Sequence, residues 1–186
     1  NIKILFNGEY YTIKYLPRSY LPLWIIISTP FIILLFSFLG FTLLLQRSFL
    51  RLINIKKDKI VNSDFWLTDN EKFDFFIFLS FLSFFIYAVL LNVAMLSGWR
   101  HFYFLHIFLV YFSTISINYL HNYFRKKIDN KYFYFLSPLI LVFLIYENSK
   151  FHPYQSLYFN NFLNKKSIEK FQVDTPSISR SDALKF

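Results

Sequence analysis

The sequence predicts an all-α, polytopic membrane protein: about four transmembrane helices with a small extracytoplasmic C-terminal tail. Three observations carry that expectation. Hydrophobic residues make up 55% of the 186 residues and charged ones 17%, too few polar side chains to cover a water-soluble globule of this size. The apolar residues come in long uncharged runs. The cations gather in the short stretches between them. Part of the excess of 27 Phe and 14 Tyr follows base composition, because Phe, Tyr, Ile, Asn and Lys share AT-rich codons.

Residues 1–19 precede the first run and read as an extracytoplasmic segment. Within them, "IKILFNGEYYTIKYLPRSYLP" leaves room for a short strand-like piece. The first span covers residues 20–45, "YLPLWIIISTPFIILLFSFLGFTLLL", with no charge between Arg18 and Arg47. That exceeds the roughly 20 apolar residues a spanning helix needs. Pro22 suits a first helical turn, and Pro30 predicts a kink that neighbouring helices tolerate in a membrane. The second span covers 75–96, uncharged between Asp74 and Arg100. The third covers 102–120 and carries His106. The fourth, 132–146, is short and relies on flanking Tyr residues at the interface. The domain plan is therefore residues 1–19, a helical bundle over 20–146, and an extracytoplasmic tail over 147–186.

Charge orients the bundle. The loop 46–72 holds Arg47, Arg51, Lys56, Lys57 and Lys59, and the loop 121–131 holds Arg125, Lys126, Lys127 and Lys131. Short basic loops stay in the cytoplasm. An integral protein of the bacterial inner membrane is the expected setting. The N-terminal segment, the "SGWRH" turn and the tail should then meet on the far face. The net charge of +9 is explained by this topology, so nucleic acid is not the expected partner. With no cysteine, neither disulfides nor thiolate metal sites are available. The four His show no metal-ligand spacing, three Gly make no phosphate loop, and no nucleophile elbow stands out. No metal or other cofactor is expected.

Arg100 and His101 are the residues that ask for chemistry. An arginine at a helix end serves as an interfacial anchor about as often as not, its head among the headgroups and Trp99 and Tyr103 in the aromatic belt. The sharper reading is a phosphate site. Arg offers a planar, permanently charged fork, and His adds a donor that titrates near neutrality. At a membrane face the phosphate at hand is that of a lipid. His106 reads as a packed side chain, His121 as interfacial, and His152 as a loop residue. Ser179 and Asp182 are spaced as a capping box, with a helix starting near Arg180.

Four stretches together resemble one family. "LPRSYLPLWIIISTP" (residues 16–30) resembles the entry to a late transmembrane helix in polytopic glycosyltransferases of the dolichyl-phosphate-mannose–protein mannosyltransferase type, within the GT-C superfamily. "GWRHFYFL" (98–105) resembles that group's Asp-Gly-x-Arg-His-Phe-x-Phe element. "HPYQSLYFN" (152–160) resembles His-Pro-Tyr-Gln-Tyr-x-Tyr-Phe-Asn. "FQVDTPSISRSDALK" (171–185) lines up with a tail reading Phe-Glu-Leu-Asp-Tyr-Trp-Gly-x-Ser. The resemblance covers nearly the whole chain. It implies transfer of a sugar from a polyprenyl-phosphate carrier to an acceptor on the non-cytoplasmic face. It also implies that the base, an acidic residue of the first outer loop, lies in an N-terminal half that would precede these residues. The chain would then be a C-terminal part that holds no catalytic residue and cannot catalyse alone. Arg100 and His101 would hold the lipid phosphate, with Trp99, His152, Tyr154 and Gln155 at the substrate mouth.

The sequence also departs from the pattern. Leu96 and Ser97 replace a usual Tyr-Asp, His106 and Ile107 replace Tyr-Pro, and Thr175-Pro176-Ser177 replace Tyr-Trp-Gly, while Asp174 is kept. The lost carboxylate leaves three readings: a different sugar, a weakened site or an inactive relative. Two other classes compete: a non-catalytic membrane scaffold, which predicts that Arg100 and His101 tolerate substitution, and a lipid-linked sugar transporter or polymerase, which needs a similar basic site.

Overall fold

The computed structural model describes residues 3–54, 69–91, 93, 95, 100–125, 130–150, 158–160 and 165–171. The chain is mostly helical. Strands β1 (Lys3–Phe6) and β2 (Glu9–Thr12) precede helices α1 (Tyr20–Ser28), α2 (Phe31–Asn54), α3 (Asp69–Leu90), α4 (Leu105–Arg125), α5 (Asn130–Ser149) and the short α6 (Lys165–Ile168). Short 3-10 turns lie at Ile13–Tyr15 and Arg100–Phe102.

The strand-like piece is a complete antiparallel hairpin. Phe6 pairs with Glu9 across a two-residue loop, Asn7-Gly8, with φ of 52° and 87°. Asn-Gly accepts two successive left-handed residues, and such a loop matches the strands' own twist. Alternation then buries Ile4 and Phe6 on one face.

The first long apolar run is broken rather than merely kinked. Thr29 is extended (φ −102°, ψ 136°), as the residue before a proline prefers, and α2 restarts at Phe31. Among the described residues, two helices are long and apolar enough to cross a bilayer, Phe31–Leu50 and Asp69–Leu90. The second begins earlier than the sequence suggests, because Asp69 and Glu71 favour a first helical turn. Helices α4 and α5 overlap the third and fourth expected spans.

The tightest helix pair is α2 against α4. Its seam is built from small residues. Ser113 Oγ donates to the Ile33 carbonyl at 3.0 Å, and Ser116 Oγ donates to that of Phe36 at 2.5 Å. Both steps advance three residues in the same direction, as parallel helices require. Gly40 lies against the Phe112 carbonyl so closely that a Cβ there would collide with it. Close approach through Gly and Ser is how helices associate when apolar burial gives no advantage over lipid. Phe41, Phe78, Phe81 and Phe112 fill the space toward α3, with ring centroids 5.2 to 6.1 Å apart.

The outside of the bundle is apolar. Phe38 on α2, Phe76 on α3, Ile107 on α4 and Val142 on α5 are each 65% exposed or more. Exposed hydroxyls on α2, α3 and α4 turn back on their own helices: Thr42 to Leu39, Ser80 to Phe76 and Thr114 to Tyr111.

Candidate functional site

The turn that carries Arg100 and His101 is held from beneath. Phe102 is buried and Leu105 fully so, which pins the 3-10 turn to the bundle. The backbone then winds into α4 through Tyr103 N–H to Arg100 O at 3.3 Å and His106 N–H to Tyr103 O at 2.9 Å. With the apolar side chains inward, Arg100 and His101 face outward and both are exposed. Among the described residues no hydrogen bond or ion pair engages either side chain. His106 is half-buried and stacks on Tyr103, with centroids 5.5 Å apart and planes 11° apart.

The electrostatics of this turn run against stability. A helix N-terminus carries partial positive charge and favours an acidic first turn. Helix α4 has no acid in its first turn, and a cation stands just ahead of it. The arrangement concentrates positive potential and suits an anion.

Neighbouring pieces gather at the same end. A cleft lined by Leu16, Pro17, Arg18, Leu21, Ala88 and Met95 joins the entry to α1 with the end of α3 and the stretch before the turn. Tail and hairpin also meet: Gly8 N–H donates to Lys170 O at 2.9 Å, and Phe171 packs on Phe6 at 5.6 Å and on Trp24 at 5.8 Å. Trp99, Ser97, His152, Tyr154 and Gln155, and the Ser179–Asp182 cap, lie outside the described residues.

Two carboxylates that sequence reasoning did not single out hold partners here: Glu147, which is buried, and Asp74, which is partly buried. Glu147, at the end of α5, accepts from Tyr158 Oη at 3.0 Å and lies 3.7 Å from Lys150 Nζ. Burial first, then the hydrogen bond and charge of Glu147, push the Tyr158 phenol above its ordinary value. Lys150 also sits over the Tyr146 ring. Toward the other end of the bundle, Asp74 accepts from Arg47 at 2.7 Å and from Tyr111 at 2.6 Å, tying α2, α3 and α4 together. In sequence Arg47 and Asp74 mark only the ends of uncharged runs. Their pairing needs two helices to pack antiparallel, which spacing alone does not reveal. Among the described residues no three His, Asp or Glu side chains converge as a metal site would require.

No family model, curated protein or solved structure matches the chain.

Proposed function

We propose that the chain is the C-terminal part of an integral-membrane glycosyltransferase. It transfers a sugar from a polyprenyl-phosphate carrier to an acceptor on the non-cytoplasmic face. The observation that carries this reading is the Arg100–His101 turn: two exposed side chains, unengaged among the described residues, at the positive end of a 21-residue helix. The four stretches that resemble the dolichyl-phosphate-mannose–protein mannosyltransferase type supply the substrate class. In this reading Arg100, helped by His101, binds the carrier phosphate. As the glycosidic bond breaks, charge gathers on that leaving group, and a preorganised guanidinium stabilises it. The base on the acceptor comes from the N-terminal half.

The membrane setting belongs to the same proposal. In it, four spans over α1–α2, α3, α4 and α5 cross the inner membrane of a bacterium, and the positive charge of loops 46–72 and 121–131 keeps them in the cytoplasm. The apolar exterior of the bundle and its serine-lined seam support a hydrocarbon surrounding. So do the exposed hydroxyls that bond back to their own helices, since lipid offers them no partner.

The test is transfer of labelled sugar from polyprenyl-phosphate donors in membranes bearing the full-length enzyme. Arg100→Ala is expected to lose on the order of a hundredfold or more in rate. Arg100→Lys is expected to lose activity too, because a point charge does not replace the fork. Equal transfer by wild type and Arg100→Ala makes the turn an interfacial anchor and ends the phosphate reading. No transfer by a well-folded wild type favours the scaffold, with Ser97 marking the lost carboxylate.

A further inference from the structure

The break between α1 and α2 is filled by a residue from the far end of the chain. Asn160 is 2% exposed. Its backbone N–H donates to Ile27 O at 2.8 Å. Its side-chain Nδ2 donates to Thr29 O at 3.1 Å and also to Ile26 O. A helix that ends inside a protein leaves carbonyls without intrahelical partners, and each must be satisfied elsewhere. Here one asparagine serves three of them across more than 130 residues of sequence.

The contacts around it make the tail a strap with two anchor points. At one end Phe159 lies on Trp24, centroids 5.8 Å apart, beside the Asn160 bonds. At the other, Lys170 O accepts from Gly8 and Phe171 packs on Phe6 and Trp24. Thr29, at the break, is fully buried under this arrangement, and its hydroxyl has no hydrogen-bond partner among the described residues. A helix interrupted at Thr29-Pro30 has no continuous hydrogen-bond ladder to fix the angle between its halves. The strap supplies that constraint.

We infer that Asn160 is the pin of a clamp: its seating in the break fixes α1 relative to α2, so that tail position and helix bend change together. The inference stands on these contacts and is independent of the glycosyl-transfer reading. When the pin is withdrawn, the carbonyls of Ile26 and Thr29 seek water, the break opens, and the Thr29 position becomes reachable from the tail side.

The native chain has no cysteine, so single cysteines report without background. Thr29→Cys sits at the break, and Ser116→Cys, in a position 1% exposed within the α2–α4 seam, reports on the bundle. Each is placed in the full chain with and without Asn160→Leu, which keeps the side chain's bulk and removes its donors. The readout is the rate of labelling by a small, membrane-permeant maleimide. Expected is a rise of about tenfold at position 29, the change in opening that losing buried hydrogen bonds produces, with position 116 unmoved. An unchanged rate at position 29 overturns the inference. So does a rise at both positions together, which would make Asn160 a contributor to general stability only.

Discussion

The hairpin–tail cap and the α2–α4 seam are packed by opposite rules. The cap buries large rings: Phe6, Tyr20, Trp24, Phe159 and Phe171 touch one another at 4.8 to 6.5 Å. The seam brings Gly40, Ser113 and Ser116 together with Leu44 and Phe112 behind them, and leaves Phe38, Leu45 and Ile107 on the outside. In water, apolar burial drives association and large rings contribute most. In hydrocarbon that drive vanishes, and close backbone approach with hydroxyl bonds takes its place. The contrast fits the membrane setting proposed above. It also predicts that the rings of the cap and the seam can each be disturbed without the other.

The sharpest break should come at the seam. Gly40→Leu sets a side chain against the Phe112 backbone, which cannot yield as a flexible side chain would. Overpacking of this kind costs about 1–3 kcal/mol and more where backbone must move, and the thermal transition of the purified chain should fall or vanish. Gly40→Ala should show the same direction at smaller size. A transition that survives Gly40→Leu unchanged would mean that the two helices do not meet there.

Next comes the cap. Phe171→Ala removes a ring shared by Phe6, Trp24 and Phe159, a loss of about 3 kcal/mol at most, since the cavity lies near a surface. Limited proteolysis should then cut the tail early while α2–α4 stays resistant. Cleavage of both regions at the same rate would deny the separation.

The smallest effect is titrimetric. Tyr158 has its phenol raised above the ordinary value of 10.0 by burial and by Glu147. A group whose folded pKa is raised contributes fully below its unfolded pKa and loses that contribution as pH climbs toward the folded value. Tail protection against proteolysis should therefore hold up to about pH 10 and weaken above it. Tyr158→Phe should remove that added sensitivity.

Helices were legible in the sequence because uncharged runs announce themselves whatever they pack against. The bend at Pro30 was legible for the same local reason, since a proline acts on its immediate neighbours. The Asn7-Gly8 turn carried a strong hairpin signal, yet the flanking residues read only as one short strand-like piece. Distant pairings were not legible. Nothing around Asn160 says that it reaches Ile26, and nothing around Asp74 says that Arg47 and Tyr111 meet there. Arg100 and His101 stood out because charge between apolar runs is rare. Glu147 did not, because it sits where a run simply ends.

The seam has a consequence in time. Ser113 and Ser116 reach partners 80 residues earlier in the chain. A ribosome adds about 5–20 residues per second, so α2 exists for several seconds before α4 is made. Through that interval its Gly40 face has no mate, and α3, although adjacent in sequence, does not cover it. A growing chain in that state needs a sheltered place to wait, and substitutions on that face should lower the yield of finished protein before they change anything the finished protein does.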